Sequence, residues 1–181
     1  MILILAGVSG SGKTTVGTLI ARRLHWRFAD ADEFHPAANI AKMRAGIPLT
    51  DEDRRPWLQA VGAWMDARVA DGQSAVVACS ALRRCYRDLL LRGRPAARMV
   101  ILAADPALLA RRVTVRQGHF FPGQLLGSQL ATLELPQPGE RAVTVVSADA
   151  PAGTVADAVV AILFPGEDAR PGPGGDDEAE T

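Results

Sequence analysis

The segment Gly7–Thr14 reads GVSGSGKT and matches the pattern G-x-x-x-x-G-K-[ST] at every fixed position. The apolar run Ile2–Ala6 comes directly before it, and apolar residues at helical spacing follow it. A strand that turns through glycines into a helix directs backbone N–H groups and the positive end of the helix dipole at one point, where phosphate oxygens bind. The sequence therefore predicts a phosphate-binding loop. A glycine-rich turn without a ligand is the alternative, and it does not explain why all the fixed positions match.

The same pattern assigns chemistry to single residues of the loop. Lys13 is expected to reach the terminal phosphates, and the Thr14 hydroxyl is the expected Mg²⁺ ligand. We therefore predict Mg²⁺ and a nucleotide as cofactors, with Lys13 among the catalytic residues. The predicted nucleotide-binding residues of the loop are Gly7, Val8, Ser9, Gly10, Ser11, Gly12, Lys13, Thr14 and Thr15.

Size and charge exclude several classes of protein. A chain of 181 residues has the length of one α/β domain. Residues 1–164 carry nineteen Lys and Arg against fourteen Asp and Glu, a mild and scattered excess that does not predict nucleic-acid binding. No apolar run has the length of a membrane span. The two cysteines have neither metal nor C-x-x-C spacing, so we expect free thiols and a cytoplasmic location.

Strand and helix patterns alternate along the chain, as in a parallel sheet that helices cover on both faces. The strand patterns are Ile2–Ala6, Trp26–Ala29, Ser74–Cys79, Met99–Ala103 and Val143–Val146. The helix patterns are Lys13–Leu24, Ala37–Arg44, Pro56–Val69, Leu82–Leu91, Pro106–Arg116, Gly123–Thr132 and Val155–Leu163. We predict one α/β domain over residues 1–164. Residues 165–181 are rich in Pro, Gly and acids and are predicted to be a disordered tail, with a functional acidic tail as the alternative.

Two carboxylates follow the second strand pattern, at the edge of the sheet where ligands bind in open α/β folds. Alternation in an extended segment would place Asp30 and Asp32 on one side. We predict that Asp32 accepts a hydrogen bond from an incoming hydroxyl and that Asp30 orients a Mg²⁺-bound water. The alternative is that one of them caps a helix.

Arginines at later junctions predict an anionic ligand. Arg54 is a candidate carboxylate clamp, although it could instead pair with neighbouring acids on a solvated face. Arg83 and Arg87 lie four apart and are predicted to share a helix face beside the crevice. A basic helix then leads into the segment Gly118–Gly123, which is predicted to be a mobile lid, whereas a plain helix C-terminus would explain part of the charge.

In combination, these motifs resemble the gluconokinase family, the small P-loop gluconate kinases. The resemblance rests on the phosphate loop and on five later blocks in this order: Asp30–Met43, Gly46–Leu58, Cys79–Leu90, Gly118–Phe121 and Leu125–Glu134. It spans residues 1–164. Gly127 departs from the polar or acidic residue expected there, and the tail has no counterpart in the family.

The resemblance implies a P-loop NTPase fold of the nucleoside-monophosphate-kinase type, with the phosphate loop on the central strand and a lid over ATP. It implies transfer of the γ-phosphoryl group of ATP to the terminal hydroxyl of D-gluconate, and a homodimer. Arg112 would belong to the ATP site, and Arg116 would act in catalysis from the lid. The residues assigned to the sugar acid are Asp32, His35, Arg54, Arg83, Tyr86, Arg87 and His119.

Two alternatives remain. The first is shikimate kinase or another small-metabolite kinase on the same fold, which would carry a glycine run where this chain has Cys79–Leu82. The second is a nucleotide-dependent switch protein, which the absence of an N-K-x-D motif and the arginines of a second site disfavour.

Overall fold

A computed structural model describes residues 1–115 and 124–165. Five strands form one sheet in the order β2-β3-β1-β4-β5, and every neighbouring pair is parallel. The strands are β1 (Ile2–Ala6), β2 (Arg27–Asp30), β3 (Ala75–Cys79), β4 (Ala97–Ala103) and β5 (Val143–Ser147). The predicted parallel sheet is therefore confirmed, with the phosphate loop following the central strand.

The helices connect these strands. In the described residues they are α1 (Lys13–Leu24), α2 (Ala37–Arg44), α3 (Asp51–Ala70), α4 (Arg84–Leu91), α5 (Pro106–Val115), α6 (Gln124–Thr132) and α7 (Ala152–Leu163). A short 3-10 turn, Ala31–Phe34, links β2 to the chain before α2.

Helix α3 begins five residues before the predicted start at Pro56. Its first turn is stabilised by a capping box, in which Thr50 Oγ1 accepts from the backbone N–H of Asp53 at 3.2 Å. The Asp53 carboxylate accepts in turn from the backbone N–H of Thr50 at 2.9 Å. These bonds satisfy N–H groups that the first turn of a helix leaves without partners. The helix can therefore start before its proline, which lies in its second turn.

Side chains of the central strand enter two different cores. Ile2 and Ile4 pack in a cluster with Trp57 of α3, whereas Leu3 and Leu5 pack in a second cluster with α1 and α7. All five residues of β1 are buried. Helices therefore cover both faces of the sheet, as the continuous apolar strands predict.

A third apolar cluster lies beside the phosphate loop. Val8 packs there with Leu82, Leu109 of α5 and Leu126 of α6. The cluster attaches α6 to the loop through buried contacts, although more than 110 residues of chain separate Val8 from Leu126.

The last described helix ends close to the predicted C-terminal boundary of the domain, and that boundary stays a prediction. Helix α7 ends at Leu163, and the ring of Phe164 meets Trp26 edge-on at 6.1 Å. The predicted tail, apart from Pro165, lies outside the described residues. No helix in the described part of the chain is long and apolar enough to cross a membrane. Cys79 is buried, Cys85 is exposed, and both are free thiols.

Candidate functional site: a phosphate loop, a crevice and an arginine cluster

The phosphate loop requires glycine at several positions. Gly7, Gly10 and Gly12 have φ angles of 142°, 80° and 92°, a region that L side chains rarely adopt. A Cβ on Gly7 would lie 2.7 Å from the carbonyl oxygen of Leu102. Gly12 is the N-cap of α1, so the loop leads directly into the positive end of that helix. The predicted strand–loop–helix arrangement is confirmed.

Thr14 joins the loop to the end of β2. Its Oγ1 donates to Asp30 Oδ2 at 2.9 Å, and Asp30 Oδ1 accepts from the backbone N–H of Asp32 at 3.1 Å. Asp30 is thus the N-cap of the 3-10 turn as well as the partner of Thr14. The capping alternative is correct for Asp30, and it coexists with a position beside the loop.

This pair of oxygen groups fits Mg²⁺. A hydroxyl and a carboxylate are hard oxygen donors, and Mg²⁺ in nucleotide sites is bound through few protein ligands together with phosphates and waters. Within residues 1–115 and 124–165 no group of three or more His, Cys, Asp or Glu is placed to hold a metal. Two oxygen donors are few for a metal held by protein alone, so Mg²⁺ binding by Thr14 and Asp30, together with phosphates and waters, stays a prediction.

Two depressions flank the loop. The first is lined by Gly10, Ser11, Gly12, Thr15, Val16, Arg112, Ala148, Ala150, Ala152 and Val155, with a volume of about 260 Å³. The second, which we call the crevice, is lined by Ser9, Gly10, Gly12, Lys13, Thr14, Asp30, Asp32, Ala78, Ser80, Val113 and Gln129. The loop thus separates a mostly apolar depression that includes Arg112 from a crevice that contains both predicted carboxylates.

Lys13 and Arg112 both lie beside the phosphate loop. Lys13 Nζ donates to the carbonyl oxygen of Val8 at 3.1 Å, so its side chain folds back over the loop. Arg112 Nη1 donates to the carbonyl oxygen of Ala148 at 2.9 Å, which holds its guanidinium beside the first depression. Their assignment to ATP phosphates and to the nucleotide stays a prediction.

Three of the predicted substrate residues meet between α3 and α4. Arg83 Nη1 donates to both oxygens of Asp51, at 2.9 and 2.6 Å, and Tyr86 donates its hydroxyl to Asp51 at 2.5 Å. The guanidinium carbon of Arg54 lies 5.7 Å from the centre of the Tyr86 ring, and that of Arg83 lies 5.8 Å from it. Burial, with the hydrogen bond to Asp51, raises the pKa of Tyr86, so its hydroxyl remains a donor.

The acids near Arg54 have other partners. The Asp53 carboxylate forms an ion pair with Lys42 Nζ at 2.7 Å, and the Asp51 carboxylate forms one with Arg83. Among the described residues, no ion pair involves Arg54. The alternative in which Arg54 pairs with neighbouring acids on a solvated face is therefore not found in this part of the chain.

His35 is mostly buried and neutral. Its ring stacks on Trp57 with centroids 4.2 Å apart and an interplanar angle of 14°, and its Nδ1 lies 3.3 Å from Asn39 Nδ2. Since the Asn39 amide donates, Nδ1 is the acceptor and the proton is on Nε2. Burial, with a contribution from the positive charge of Arg54, lowers the pKa of His35 to about 4.

This depressed pKa predicts a pH dependence of stability. The ordinary pKa is 6.5, so between pH 6.5 and about 4 the unfolded chain binds a proton at His35 that the folded chain does not. The contribution of neutral His35 to the free energy of unfolding is fully present above pH 6.5, and it decreases as the pH falls toward 4. We expect the free energy of unfolding of wild type to fall more steeply from pH 6.5 to 4.5 than that of His35→Gln in urea titrations. Parallel curves would contradict the neutral, buried state of His35.

Arg87 requires a correction. Its side chain is 0% exposed, and its Nε and Nη2 donate to the two carboxylate oxygens of Glu140 at 2.8 and 2.9 Å. Its Nη1 donates to the carbonyl oxygens of Leu82 and Glu134. Arg87 therefore is not in the crevice, and its side chain does not lie on the same face as that of Arg83. Instead it joins α4 to the chain between α6 and β5.

Two predicted site residues lie outside the described part of the chain. These are Arg116, assigned to catalysis, and His119, assigned to the substrate. The segment predicted to be a lid lies there as well.

Two polar residues of the candidate site are not indicated by the sequence patterns. Asp51 is one of the acids next to Arg54 in sequence, and Gln129 belongs to no motif of its own. Gln129 Oε1 accepts from the backbone N–H of Ser9 at 2.7 Å. Only the resemblance over Leu125–Glu134 included this glutamine, and it assigned no role to it.

Comparison with known proteins decides the family. A family model described as "AAA domain" matches residues 2–136. A gluconokinase from Gluconobacter oxydans is 47% identical over 79% of this chain and 80% of its own length. The thermoresistant gluconokinase of Escherichia coli is 40% identical over 92% of this chain and 95% of its own. The chain belongs to the gluconokinase family. The resemblance inferred from the sequence is thereby confirmed.

Solved structures agree with this family assignment. A gluconokinase from Sinorhizobium meliloti superimposes with a TM-score of 0.73 at 40% identity, over 91% of this chain and 97% of that one. A shikimate kinase from Aquifex aeolicus has a TM-score of 0.57 at 16% identity, which shows a shared fold and nothing more. The predicted kinase-type α/β fold is confirmed.

Proposed function

We propose that this protein transfers the γ-phosphoryl group of ATP to the terminal hydroxyl of D-gluconate, giving 6-phospho-D-gluconate. The observation that carries the proposal is a pair of arrangements: the phosphate loop lines one crevice with Asp30 and Asp32, and Arg54, Arg83 and Tyr86 meet between α3 and α4. Family membership, with relatives named gluconokinases at 40–47% identity, supports the choice of substrate.

ATP would lie along the loop, with its base toward the depression beside Arg112. The backbone N–H groups of the loop, Lys13 and the N-terminus of α1 would hold the phosphates. Mg²⁺ would be held by the Thr14 hydroxyl and, through water, by Asp30. When bound, the ion would supply positive charge against the phosphate oxygens.

Asp32 is the residue we assign to the attacking hydroxyl. It lines the crevice with Lys13, and it lies two residues beyond the carboxylate that contacts Thr14. Phosphoryl transfer through a loose transition state depends on orienting the hydroxyl more than on removing its proton early. A carboxylate that accepts a hydrogen bond from the hydroxyl supplies that orientation, and it can accept the proton as the bond forms.

The two half-buried arginines, Arg54 and Arg83, offer different recognition chemistry. Arg54 forms no ion pair among the described residues, and its charge acts on Asp51 only at longer range, so its guanidinium is available for the carboxylate of the sugar acid. Arg83 is bound by Asp51 and lies 3.4 Å from Glu134, so its charge is already matched. Together, Arg83, Asp51 and Tyr86 present donors and acceptors of the kind that bind sugar hydroxyls.

A homodimer and a cytoplasmic location are part of the same proposal. Both rest on the family resemblance and, for the location, on the two free thiols. Sedimentation equilibrium of the full chain tests the dimer: a mass near twice 19.2 kDa supports it, and a mass near 19.2 kDa contradicts it.

A screen of acceptors tests the proposed reaction. ADP formation would be coupled to NADH oxidation, with MgATP and one acceptor at a time: D-gluconate, other sugar acids, shikimate or nucleoside monophosphates. We expect ADP formation with gluconate far above the rate without acceptor. Turnover with shikimate or a nucleoside monophosphate, and none with gluconate, would replace the proposal by the other small-metabolite kinase.

A further inference from the structure

A side chain of α6 occupies a hydrogen-bond donor of the phosphate loop. Gln129 Oε1 accepts from the backbone N–H of Ser9 at 2.7 Å, and 120 residues separate the two in sequence. A backbone N–H only donates, so the amide oxygen of Gln129 must be the atom that faces it. Next to this bond, Leu126 of the same helix packs on Val8. The position of Gln129 relative to the loop is thus set by apolar and polar contacts together.

The donor that Gln129 occupies is on the reacting side of the loop. Ser9 and Gln129 line the crevice together with Asp32, whereas Ser11, Thr15 and Arg112 line the depression on the other side. If the nucleotide base lies toward Arg112, the terminal phosphoryl group lies toward Asp32. The contact between Ser9 and Gln129 is therefore at the γ-phosphoryl end of the site.

The chemistry of the amide makes this position informative. Backbone N–H groups of a phosphate loop bind anionic oxygens, and an amide oxygen is a neutral stand-in for one of them. An approaching phosphoryl oxygen would face the amide oxygen, and two acceptors cannot form a hydrogen bond with each other. Rotation of the amide by half a turn replaces that oxygen by an NH₂ group, which donates. Glutamate at this position has no such donor and adds a negative charge.

We propose that Gln129 binds the γ-phosphoryl group of ATP, with its amide oxygen on Ser9 N–H before ATP binds and its NH₂ group on the γ-phosphoryl oxygens afterwards. The inference rests on phosphoryl transfer at this site and not on the identity of the acceptor. A purely structural reading assigns Gln129 only to holding α6 against the loop. The two readings differ in whether the effect of substitution depends on the γ-phosphate.

Nucleotide affinities measured in the absence of a sugar substrate distinguish the binding role of Gln129 from the purely structural one. Affinities for Mg²⁺-ADP and for the Mg²⁺ complex of the non-hydrolysable imido analogue of ATP would be measured by isothermal titration calorimetry. The variants are Gln129→Ala and Gln129→Glu, with Gln137→Ala as control. Gln137 is the same residue type on an exposed stretch after α6, away from the crevice. Melting temperatures check that the variants fold, and the two Gln129 variants test the site independently.

Loss of one charge-assisted hydrogen bond typically weakens binding about 10-fold or more. We expect Gln129→Ala to weaken binding of the ATP analogue by about 10-fold and Gln129→Glu to weaken it further, while the affinity for ADP changes less than about 2-fold. The control should leave both affinities unchanged. Equal weakening of ADP and the analogue, or no weakening of either, would overturn the proposal. A γ-phosphate-specific loss in a protein inactive on gluconate would uphold this inference and refute the proposed substrate.

Discussion

Replacing Asp32 by asparagine is expected to lower kcat for gluconate phosphorylation by a factor on the order of 100 or more. The substitution keeps the shape of the side chain but removes the charge that orients the hydroxyl and accepts its proton. ATP binding should persist, because the phosphate loop and its contact between Thr14 and Asp30 are unchanged. Steady-state kinetics with varied ATP and varied gluconate measure both quantities.

Asp30→Asn is the matched comparison, since it makes the same chemical change two residues away. Asp30 accepts a hydrogen bond from the Thr14 hydroxyl and caps the 3-10 turn. Losing the charge of its carboxylate should therefore raise the Mg²⁺ concentration needed for half-maximal rate. If Asp32→Asn keeps a near-normal kcat while Asp30→Asn abolishes turnover, the two roles are reversed.

Arg54→Ala is expected to raise the KM for gluconate about 10- to 150-fold, which corresponds to losing about 1.5–3 kcal/mol from a charge-assisted contact. The KM for ATP should change little, because Arg54 lies beside Tyr86 and is not among the residues that line the loop. Arg84→Ala is the control. Arg84 is half-exposed at the start of α4, and its side chain faces Asp88 at 3.8 Å.

A neutral analogue sharpens this test. Gluconamide has the hydroxyls of gluconate without its charge. Arg54→Ala should therefore weaken the binding of gluconate much more than the binding of gluconamide. Arg83→Ala should also raise the KM for gluconate, but it should affect the two ligands alike, because Asp51 already matches the charge of Arg83. An unchanged KM for gluconate in both variants would refute the assignment of these arginines to the sugar acid.

The phosphate loop could be predicted because its requirements are local. Positive φ angles at Gly7, Gly10 and Gly12 and the adjacent helix N-terminus follow from a few consecutive residues. The alternation of apolar strands with helices likewise predicted both covered faces of the sheet. These features depend on backbone geometry and on period, which a single sequence displays.

Arg87 shows how a small shift in a helix boundary changes a site prediction. The spacing of four places Arg83 and Arg87 on one face only if both are inside the helix. Arg83 is instead the N-cap, with extended backbone angles of −96° and 151°, and α4 begins at the next residue. The two side chains therefore diverge, one to Asp51 and the other to the buried Glu140.

Sequence patterns do not predict long-range polar contacts. Asp51 meets Arg83 across 32 residues, and Gln129 meets Ser9 across 120. Such pairs depend on how helices pack on the sheet, and neither the residue types nor their spacing indicate the partner. The carboxylate that binds Arg83 and the amide on the phosphate loop could therefore be found only in the folded chain.

The most direct test of the proposed reaction is the ³¹P NMR spectrum of its product. Purified full-length protein would be incubated with MgATP and D-gluconate, and the proton-coupled spectrum recorded. We expect γ-phosphate to disappear as a phosphomonoester signal grows, split into a triplet by the two protons of a terminal CH₂ group. A doublet would indicate transfer to an internal hydroxyl. Absence of any sugar phosphate, under conditions where another acceptor is phosphorylated, would contradict the assignment of gluconate as substrate.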